Sequence, residues 1–387
     1  MKRKIFSIMI AISMIAAMTG CGGANTTSTP DEPVANVIEE TATAQTTEET
    51  KEQETKTQST DAQEEEAQEL EAQEDAVSEQ ELSGPVEITI TTVGGMYFDD
   101  QLLEAFDNVG YDYIYEDVKD FISESDLAVG VIQTPINNGR VAGEICTGLA
   151  NAGFDAIDVA TVNCLDLSDT TGLNWTMSGA FNADMQTFGA STNANPYDKI
   201  AYFDVKGVKV AFVSGAQDVA PEDDTADINT IDEDVLVGQV EEAKSNGAKV
   251  VVVVLNYSSR SDESSNGLSQ KLAEAGANIV VCTGFQEMSV GRKDVLVEGS
   301  PVCCTYPALG NFVSVNQEAA VVVEHKICID EDGNIDVLTP SPKMLMAYMN
   351  SEDNYRLKPF TEADLDGDKL SEALKEDLKR VLNNYSK

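Results

Sequence analysis

The chain has 387 residues, of which 42% are hydrophobic, and its 68 acidic residues against 25 basic ones give a net charge of −43 at pH 7. A chain of this length can form one large domain or two ordinary ones. The charge excludes most nucleic-acid partners, because phosphate binding needs clustered Lys and Arg, and it disfavours an anionic polymer as a ligand unless a local basic patch exists.

Residues 1–20 have the features of a lipoprotein signal peptide. Lys-Arg-Lys at positions 2–4 precedes an apolar run from Ile5 to Met18, and the segment closes on Met-Thr-Gly-Cys. A run of about 14 apolar residues is short for a membrane span, which needs roughly 20. By resemblance to bacterial lipoproteins, Cys21 is the expected lipidation site. We therefore expect a secreted protein that a lipid anchor holds on the outer face of the cell membrane.

Residues 21–84 are rich in Thr, Gln, Glu and Ala and have almost no aromatic side chain. Such a segment cannot bury enough apolar surface to offset the entropy lost on ordering. The composition predicts a disordered acidic tether that holds the domain away from the membrane. A transient helix from Glu64 to Leu82 is the alternative.

Residues 85–342 alternate between strand and helix patterns. Apolar strands are predicted at VEITITTV (86–93), DLAVGVI (126–132), FDAIDVAT (154–161), KVAFVSG (209–215), KVVVVVLN (249–256), NIVVC (278–282) and PVCCTY (301–306). Amphipathic helices are predicted at VGQVEEAKSNG and LSQKLAEAG, and a hairpin is predicted across Asp332, Gly333 and Asn334. These patterns predict a layered α/β sandwich of mixed β-sheets flanked by helices. Residues 343–387 are predicted to be a C-terminal extension with a terminal helix.

Functional residues in such folds gather in loops beyond the strand ends. In chain order these loops read GGMYFDD, QTPI, NCLD, NYSSR, CTGFQEM and YPALGNF. Over residues 86–315 they resemble the bacterial capsule-synthesis CapA proteins, which are linked to poly-γ-glutamate capsules and related to calcineurin-like metallophosphoesterases. The best-matched parts are Asp126 with Thr134-Pro135, Asp166 with Gly172-Leu173, Ala275-Gly276-Ala277, and Leu309-Gly310-Asn311-Phe312. The resemblance implies a calcineurin-like metallophosphoesterase fold.

The chain departs from this family at the positions that would hold metal. The family's Gly-Asp falls on Gly94-Gly95, Asn-Leu-Glu on Val131-Ile132-Gln133, Asn-Asn-His on Thr161-Val162-Asn163, His-Trp-Gly on Asn256-Tyr257-Ser258, and Gly-x-His-Pro-His on Cys282 to Gln286. The expected carboxylates and imidazoles are therefore missing. Neutral amides cannot offset the charge of two divalent cations, so we expect no metal and no cofactor.

Three functions are compatible with this pattern. The first is a non-catalytic binding or assembly factor for an envelope polymer or a capsule-synthesis complex. The second is a hydrolase without the family's metal chemistry, with Asp166, Asn163, Asn256, Gln286 and a Cys as candidate catalytic groups. The third is a glycan- or peptide-binding lipoprotein, because amides hydrogen-bond such ligands. The predicted binding residues are Gln133, Asn163, Asn256, Gln286 and Asn311.

The thiols and the single imidazole offer weaker signals. His325 follows the last site loop and is predicted to face solvent or a neighbouring strand. The cysteines other than Cys21 are best interpreted as small buried hydrophobes, because no CxxC spacing appears. A soft-metal or thiol site and disulfides are the alternatives for this set, which comprises Cys146, Cys164, Cys282, Cys303, Cys304 and Cys328.

Two short acidic runs, 330–334 and 364–368, could suggest calcium sites. The second run lacks the Gly at its sixth position and the Glu at its twelfth that an EF-hand loop requires. We interpret the runs as a hairpin turn and a helix N-cap.

Overall fold

The computed structural model describes residues 84–165, 169–219, 224–258, 267–284, 288–289, 292–315, 319–338, 341–349 and 355–360, with residues 372, 375, 376 and 379. Five of the sequence predictions lie outside the described residues. They concern the signal peptide with Cys21, the tether up to residue 83, Asp166, Gln286 and the acidic run at 364–368.

Strands occur at the seven predicted apolar runs, and helices occur at the two predicted amphipathic segments. The other helices and several short strands are not predicted individually by the sequence. The helices are α1 (Asp100–Val109), a 3-10 turn (Tyr113–Tyr115), α2 (Lys119–Ser123), α3 (Gly139–Ala152), α4 (Thr171–Asn182), α5 (Glu233–Ser245) and α6 (Leu268–Ala275). The first ten strands are β1 (Val86–Met96), β2 (Leu127–Ile132), β3 (Ala156–Asp158), β4 (Gln186–Phe188), β5 (Ala190–Thr192), β6 (Ala201–Val205), β7 (Val208–Ala216), β8 (Ala226–Ile228), β9 (Val250–Asn256) and β10 (Ile279–Thr283). The remaining strands are β11 (Met288–Ser289), β12 (Lys293–Val297), β13 (Ser300–Tyr306), β14 (Ala308–Leu309), β15 (Asn311–Val313), β16 (Ala319–Ile329), β17 (Ile335–Val337), β18 (Ser341–Met349) and β19 (Tyr355–Pro359).

Most strands belong to two large mixed sheets. The first sheet has the order β19-β18-β16-β1-β2-β3-β4, with β15 paired to β1 and β17 paired to β16. The second sheet has the order β12-β13-β10-β9-β7-β6. Strands β1 to β4 run parallel, as do β7, β9, β10 and β13, whereas the flanking strands are antiparallel. Two short ribbons, β5 with β8 and β11 with β14, complete the pairing.

The two sheets pack face to face, and helices cover the outer face of each. Strand β9 shows why its sequence is continuously apolar. Val252 and Val254 lie in the core between the sheets, whereas Val251 and Val253 lie in the core under α5 and α6. Successive side chains of a strand point to opposite faces, so a strand buried on both faces needs an apolar residue at every position. On the first sheet, α3 contributes Ile145 and Leu149 to the outer core. The predicted layered α/β sandwich of mixed sheets is confirmed.

The first sheet continues beyond the boundary that the sequence places at residue 342. Strand β18 pairs antiparallel with β16, and β19 pairs with β18, so the sheet extends to Pro359. Tyr355 and Leu357 of β19 are buried in the outer core. Arg356 makes two hydrogen bonds of 2.7 and 2.8 Å to Asp117 and lies over the Tyr113 ring. Residues beyond 342 are therefore part of the domain's own sheet.

The predicted hairpin forms between β16 and β17. The Asp330 carboxylate accepts hydrogen bonds from the backbone N–H groups of Asp332 and Asn334, and Gly333 has a φ of 81°. The Asp330 carboxylate therefore stabilises the turn through these hydrogen bonds, which agrees with the interpretation of the run 330–334 as a turn.

Candidate functional site at the carboxyl ends of the strands

Polar side chains from both sheets meet at the carboxyl ends of the parallel strands. Gln133 follows β2, Asp158 ends β3, Ser214 lies near the end of β7, and Asn256 ends β9. All four residues are fully buried. Because strands of a parallel sheet end at one edge, residues far apart in the sequence meet here.

These four residues form one continuous run of hydrogen bonds, which we call the inter-sheet polar chain. Gln133 Nε2 donates to Asn256 Oδ1 at 2.8 Å, and Asn256 Nδ2 donates to Asp158 Oδ2 at 2.7 Å. Ser214 Oγ donates to Asp158 Oδ1 at 2.6 Å. Successive members come alternately from the first and the second sheet. The inter-sheet polar chain therefore joins the two sheets where the family resemblance implies metal ions.

Asp158 contributes the carboxyl group of the inter-sheet polar chain. Burial raises its pKa to about 7, against the opposing effect of hydrogen bonds from Ser214, Asn256 and the Ala160 N–H. At neutral pH this group is divided between its protonated and charged forms, and its two oxygens already accept three hydrogen bonds. Both of its oxygens are thus held by donors of the protein itself. The sequence predictions named Asp166 and missed Asp158, although an Asp inside the apolar run FDAIDVAT signals a buried polar group.

Gly95 stands where the family resemblance implies a carboxylate, and the space beside it is filled. A Cβ atom on Gly95 would lie 2.7 Å from Gln133 Cγ and 3.2 Å from the Tyr97 ring. The neighbouring Gly94 is closed as well, because its Cβ would lie 2.1 Å from the carbonyl oxygen of Gly310. No side chain fits at Gly95 while Gln133 keeps its position.

Gly284 stands where the family resemblance implies an imidazole, and its backbone packs directly on a neighbouring loop. Its φ is 100°, and a Cβ would lie 2.4 Å from the Tyr257 carbonyl oxygen. The Tyr257 N–H donates to the Thr283 carbonyl at 2.9 Å, and the Tyr97 hydroxyl donates to the Gly284 carbonyl at 3.2 Å. This position therefore serves the contact between the ends of β9 and β10 and has no room for a ligand side chain.

The structure brings together only some of the predicted site residues. Gln133 and Asn256 are in contact, and Asn311 pairs in register with Gly95 and is also buried. Asn163 is an exposed turn residue after β3. The amides predicted to line a ligand pocket are thus mostly interior, and Gln133 and Asn256 bind each other.

The donor set does not fit a two-metal centre. Its neutral oxygens, such as Gln133 Oε1 and Thr283 Oγ1, cannot offset the charge of divalent cations. In the part of the chain that the structure describes, no group of three or more His, Cys, Asp and Glu side chains could hold a metal ion.

His325 takes no part in this site. Its Nε2 lies 2.8 Å from Thr92 Oγ1 on the adjacent strand β1, and its ring packs edge-on against Tyr306. The side chain is fully buried, so the predicted contact with a neighbouring strand is correct and the predicted exposure to solvent is wrong. Burial lowers the pKa of His325 to about 3, which keeps the ring neutral.

The six cysteines after Cys21 are free thiols. All are buried except Cys328, which is partly buried. Burial raises the pKa of Cys146 and of Cys164 to about 12, and that of Cys304 to about 11. Thiols with such pKa values are almost never ionised at neutral pH and are therefore unreactive. The interpretation as small buried hydrophobes is therefore correct for the five buried cysteines and does not hold for Cys328, which is partly buried.

Comparison with known proteins identifies the family of this chain. Residues 89–295, more than half of the chain, match the family model described as bacterial capsule synthesis protein PGA_cap. The chain belongs to this capsule-synthesis family. It is similar to the capsule biosynthesis protein CapA of Bacillus anthracis, with 26% identity over 255 residues, which are 59% of this chain and 60% of that protein. The match thus spans less than two thirds of the relative's length.

Two solved structures are similar at lower identity. One is the NAD nucleotidase NadN of Haemophilus influenzae, with 11% identity and a TM-score of 0.46 over 78% of this chain and 60% of that one. The other is a 5'-nucleotidase of Candida albicans, with 8% identity and a TM-score of 0.41 over 63% of this chain and 52% of that one. Both scores lie below 0.5, so the description of the fold rests on this chain's own sheets and helices.

Membrane attachment has no counterpart in the described helices. None of the helices that the structure describes has both the length and the apolar character needed to cross a membrane.

Proposed function

We propose that this protein is a secreted lipoprotein, anchored through Cys21, whose capsule-synthesis domain acts as a non-catalytic binding or assembly factor. Its process would be the synthesis or anchoring of a capsule or exopolymer of the poly-γ-glutamate kind. Membership of the capsule-synthesis family supports the process. The observation that carries the non-catalytic role is the neutral, self-paired lining, where Gln133 binds Asn256 and the Tyr257 backbone closes the space beside Gly284.

The chemistry of hydrolysis explains why this observation matters. A two-metal site clamps the attacking and the leaving oxygen between cations that several anionic and imidazole ligands hold in place. Here the corresponding region contains amides, glycines and the already hydrogen-bonded Asp158. The inter-sheet polar chain supports the ends of the strands but provides no clamp for a phosphate. The domain would then act by offering a rigid surface to a binding partner.

The charge of the chain favours one kind of partner. With a net charge of −43, the protein repels a polyanion such as poly-γ-glutamate at long range. A protein component of the synthesis complex is therefore the better direct partner, and the polymer is reached through that complex. The lipid anchor would keep the domain at the membrane surface where such a complex works.

Metal analysis and a complementation assay test this proposal. We expect the protein purified without chelator to contain no stoichiometric manganese, zinc or iron, and to show no metal-stimulated hydrolysis of bis(p-nitrophenyl) phosphate. We expect deletion of the gene to reduce the polymer on the cell surface, and a copy carrying Asp166→Asn to restore it as well as the parent does. Two tightly bound metals per chain, with activity lost in Asp166→Asn, would overturn the non-catalytic role. An unchanged amount of surface polymer after deletion would contradict the capsule function.

A further inference from the structure

A polar cleft lies on the short ribbon that β5 and β8 form. The two strands pair antiparallel, with Ser191 opposite Asp227. The cleft has a volume of about 470 Å³ and is lined by hydroxyl, amide and carboxylate groups together with a proline. Its lining residues are Ser191, Thr192, Asn193, Pro196, Asp224, Thr225, Ala226 and Asp227.

The ribbon begins at the inter-sheet polar chain, which gives it a rigid base. Gly189, directly before β5, packs so closely on Ser214 that a Cβ would lie 2.1 Å from the serine Oγ. After β8, the Asn229 N–H donates to the Gly189 carbonyl at 2.9 Å, and Asn229 Nδ2 donates to the Ser214 carbonyl at 3.0 Å. The cleft therefore stands at the same edge of the sheets as the polar chain, but its residues are separate from that chain.

Hydrogen bonds to helix α4 support the floor of the cleft. Thr192 Oγ1 donates to Asn174 Oδ1 at 2.5 Å, and the buried Asn195 donates through Nδ2 to the same oxygen at 3.1 Å. Ser178 Oγ donates to Asn195 Oδ1 at 3.0 Å. The ribbon and α4 thus form one ordered unit. Because these residues are already ordered, a ligand that binds here causes a smaller loss of conformational entropy in the protein.

Exposed aromatic side chains adjoin this unit. Phe181 on α4 is 52% exposed, and its ring stacks on Tyr197 with centroids 5.4 Å apart and an angle of 15° between the planes. Tyr197 directly follows Pro196 of the cleft. Trp175, which is 46% exposed, follows Asn174 on α4, and its ring lies against Gly139 at the start of α3. Among the exposed large hydrophobic side chains of the described residues, the two aromatic ones both lie on α4.

We propose that the cleft and the adjacent Phe181–Tyr197 pair bind a neutral saccharide of the cell envelope. A sugar ring has apolar C–H faces that pack on aromatic rings, and hydroxyl groups that donate to carboxylate and hydroxyl oxygens. The volume lies within the range of about 300 to 1,000 Å³ that small-molecule sites occupy. This inference concerns a site distinct from the inter-sheet polar chain and extends beyond the proposed function.

The charge around the cleft selects against other ligands. Asp224 and Asp227 line it, and Lys199 is already paired with Asp227 at 2.7 Å. An anionic polymer would therefore meet repulsion. A tightly held metal ion is disfavoured as well, because no group of three or more metal-binding side chains occurs among the described residues. A polyol, which is neutral and rich in donors, satisfies the lining without a charge penalty.

The experiment uses the only Trp of the chain as a reporter. Trp175 is the sole source of tryptophan fluorescence. We would titrate the full mature chain with neutral tetrasaccharides of N-acetylglucosamine, glucose and galactose, and with a poly-γ-glutamate oligomer as the anionic comparison. Isothermal titration calorimetry on the same samples detects binding that leaves the fluorescence unchanged. We expect saturable binding of at least one neutral tetrasaccharide and none of the anionic oligomer.

Variants locate the binding. We expect Phe181→Ala and Asp227→Asn each to weaken saccharide binding about tenfold, which corresponds to about 1.4 kcal/mol. Leu296→Ala, which removes a side chain that is 53% exposed on β12, is the matched control and should bind as the parent does. No binding of any neutral tetrasaccharide up to about 10 mM, by either method, would overturn the proposal. Equal binding by the parent, Phe181→Ala and Asp227→Asn would overturn it too. None of these results depends on the metal content of the protein.

Discussion

Gln133 and Gly95 show at the scale of single residues how the described part of the site differs from the one that the family resemblance implies. Gln133 has the same length as the Glu that the family resemblance implies at this position, and it differs from it only in carrying no charge; its Cγ lies 2.7 Å from where a Cβ of residue 95 would be. Its Nε2 then binds Asn256, whose own amide binds Asp158. Gln133 and Asn256 are neutral, and Asp158 accepts hydrogen bonds from its neighbours. These buried side chains are therefore compatible with one another, because an unpaired charge would be costly in this setting.

Asp158 makes the stability of the domain depend on pH. The pKa of an Asp in an unfolded chain is about 3.9, whereas burial raises that of Asp158 to about 7 in the folded protein. Between these values the folded state binds a proton that the unfolded state does not, so the stabilising effect of the proton is lost as the pH rises through this window. The slope approaches at most about 1.4 kcal/mol per pH unit.

We therefore expect Asp158→Asn to remove one component of the pH dependence. The free energy of unfolding, measured in urea at pH 5, 6, 7 and 8, should fall more steeply with pH in the parent than in the variant. The comparison is needed because the other acidic residues also weaken the fold as they ionise, and both proteins share these residues. Parallel curves, or a parent that gains stability relative to the variant as the pH rises, would show that Asp158 is ionised throughout.

At the scale of elements, β18 and β19 complete the first sheet. Strand β16 pairs with β1 on one side and with β18 on the other, so without β18 it would be an exposed edge for much of its length. Arg356 on β19 joins this late strand to the segment before α2 through Asp117, with the Tyr113 ring beneath its guanidinium. The two bonds span 239 residues of sequence.

We expect Arg356→Ala to lower the free energy of unfolding by about 1 to 2 kcal/mol, because it breaks a bidentate pair and a cation–π contact that connect distant elements. Arg140→Ala is the matched control. Arg140 also makes two hydrogen bonds to a carboxylate, that of Glu144 on the same helix, and lies 3.7 Å from Asp107 on α1, but these pairs are exposed, and exposed pairs contribute about 0.5 kcal/mol or less. Chemical unfolding of both variants gives the comparison. Equal losses would mean that Arg356 does not anchor β19.

At the scale of the whole molecule, the sequence before the domain is expected to determine where the protein works. The segment that ends in Met-Thr-Gly-Cys predicts processing and lipidation at Cys21, and the acidic segment that follows predicts a tether. A lipid chain contributes about 0.8 kcal/mol of membrane affinity per buried CH₂ group, so its loss should be easy to detect.

We expect Cys21→Ala to leave the membrane fraction or to remain unprocessed, as shown by cell fractionation and by the mass of the mature protein. Cys328→Ala, which changes a partly buried thiol within the folded domain, is the control and should remain with the membrane. Membrane attachment and mature mass identical to those of the parent would refute lipidation at Cys21.

The sequence by itself determined seven strands, two helices and the hairpin of this protein, and it placed neutral residues where the family resemblance implies metal ligands. These features are local, because the periodicity of apolar residues records which faces of an element are buried, as the alternating cores around β9 show. Only the tertiary structure decided what replaces the ligands. Asp158 meets Ser214 across 56 residues and Asn256 across 98, and no local pattern encodes such meetings. They depend on strand order and on the packing of two sheets, which also bring β18 and β19 into the first sheet and place the cleft beside α4.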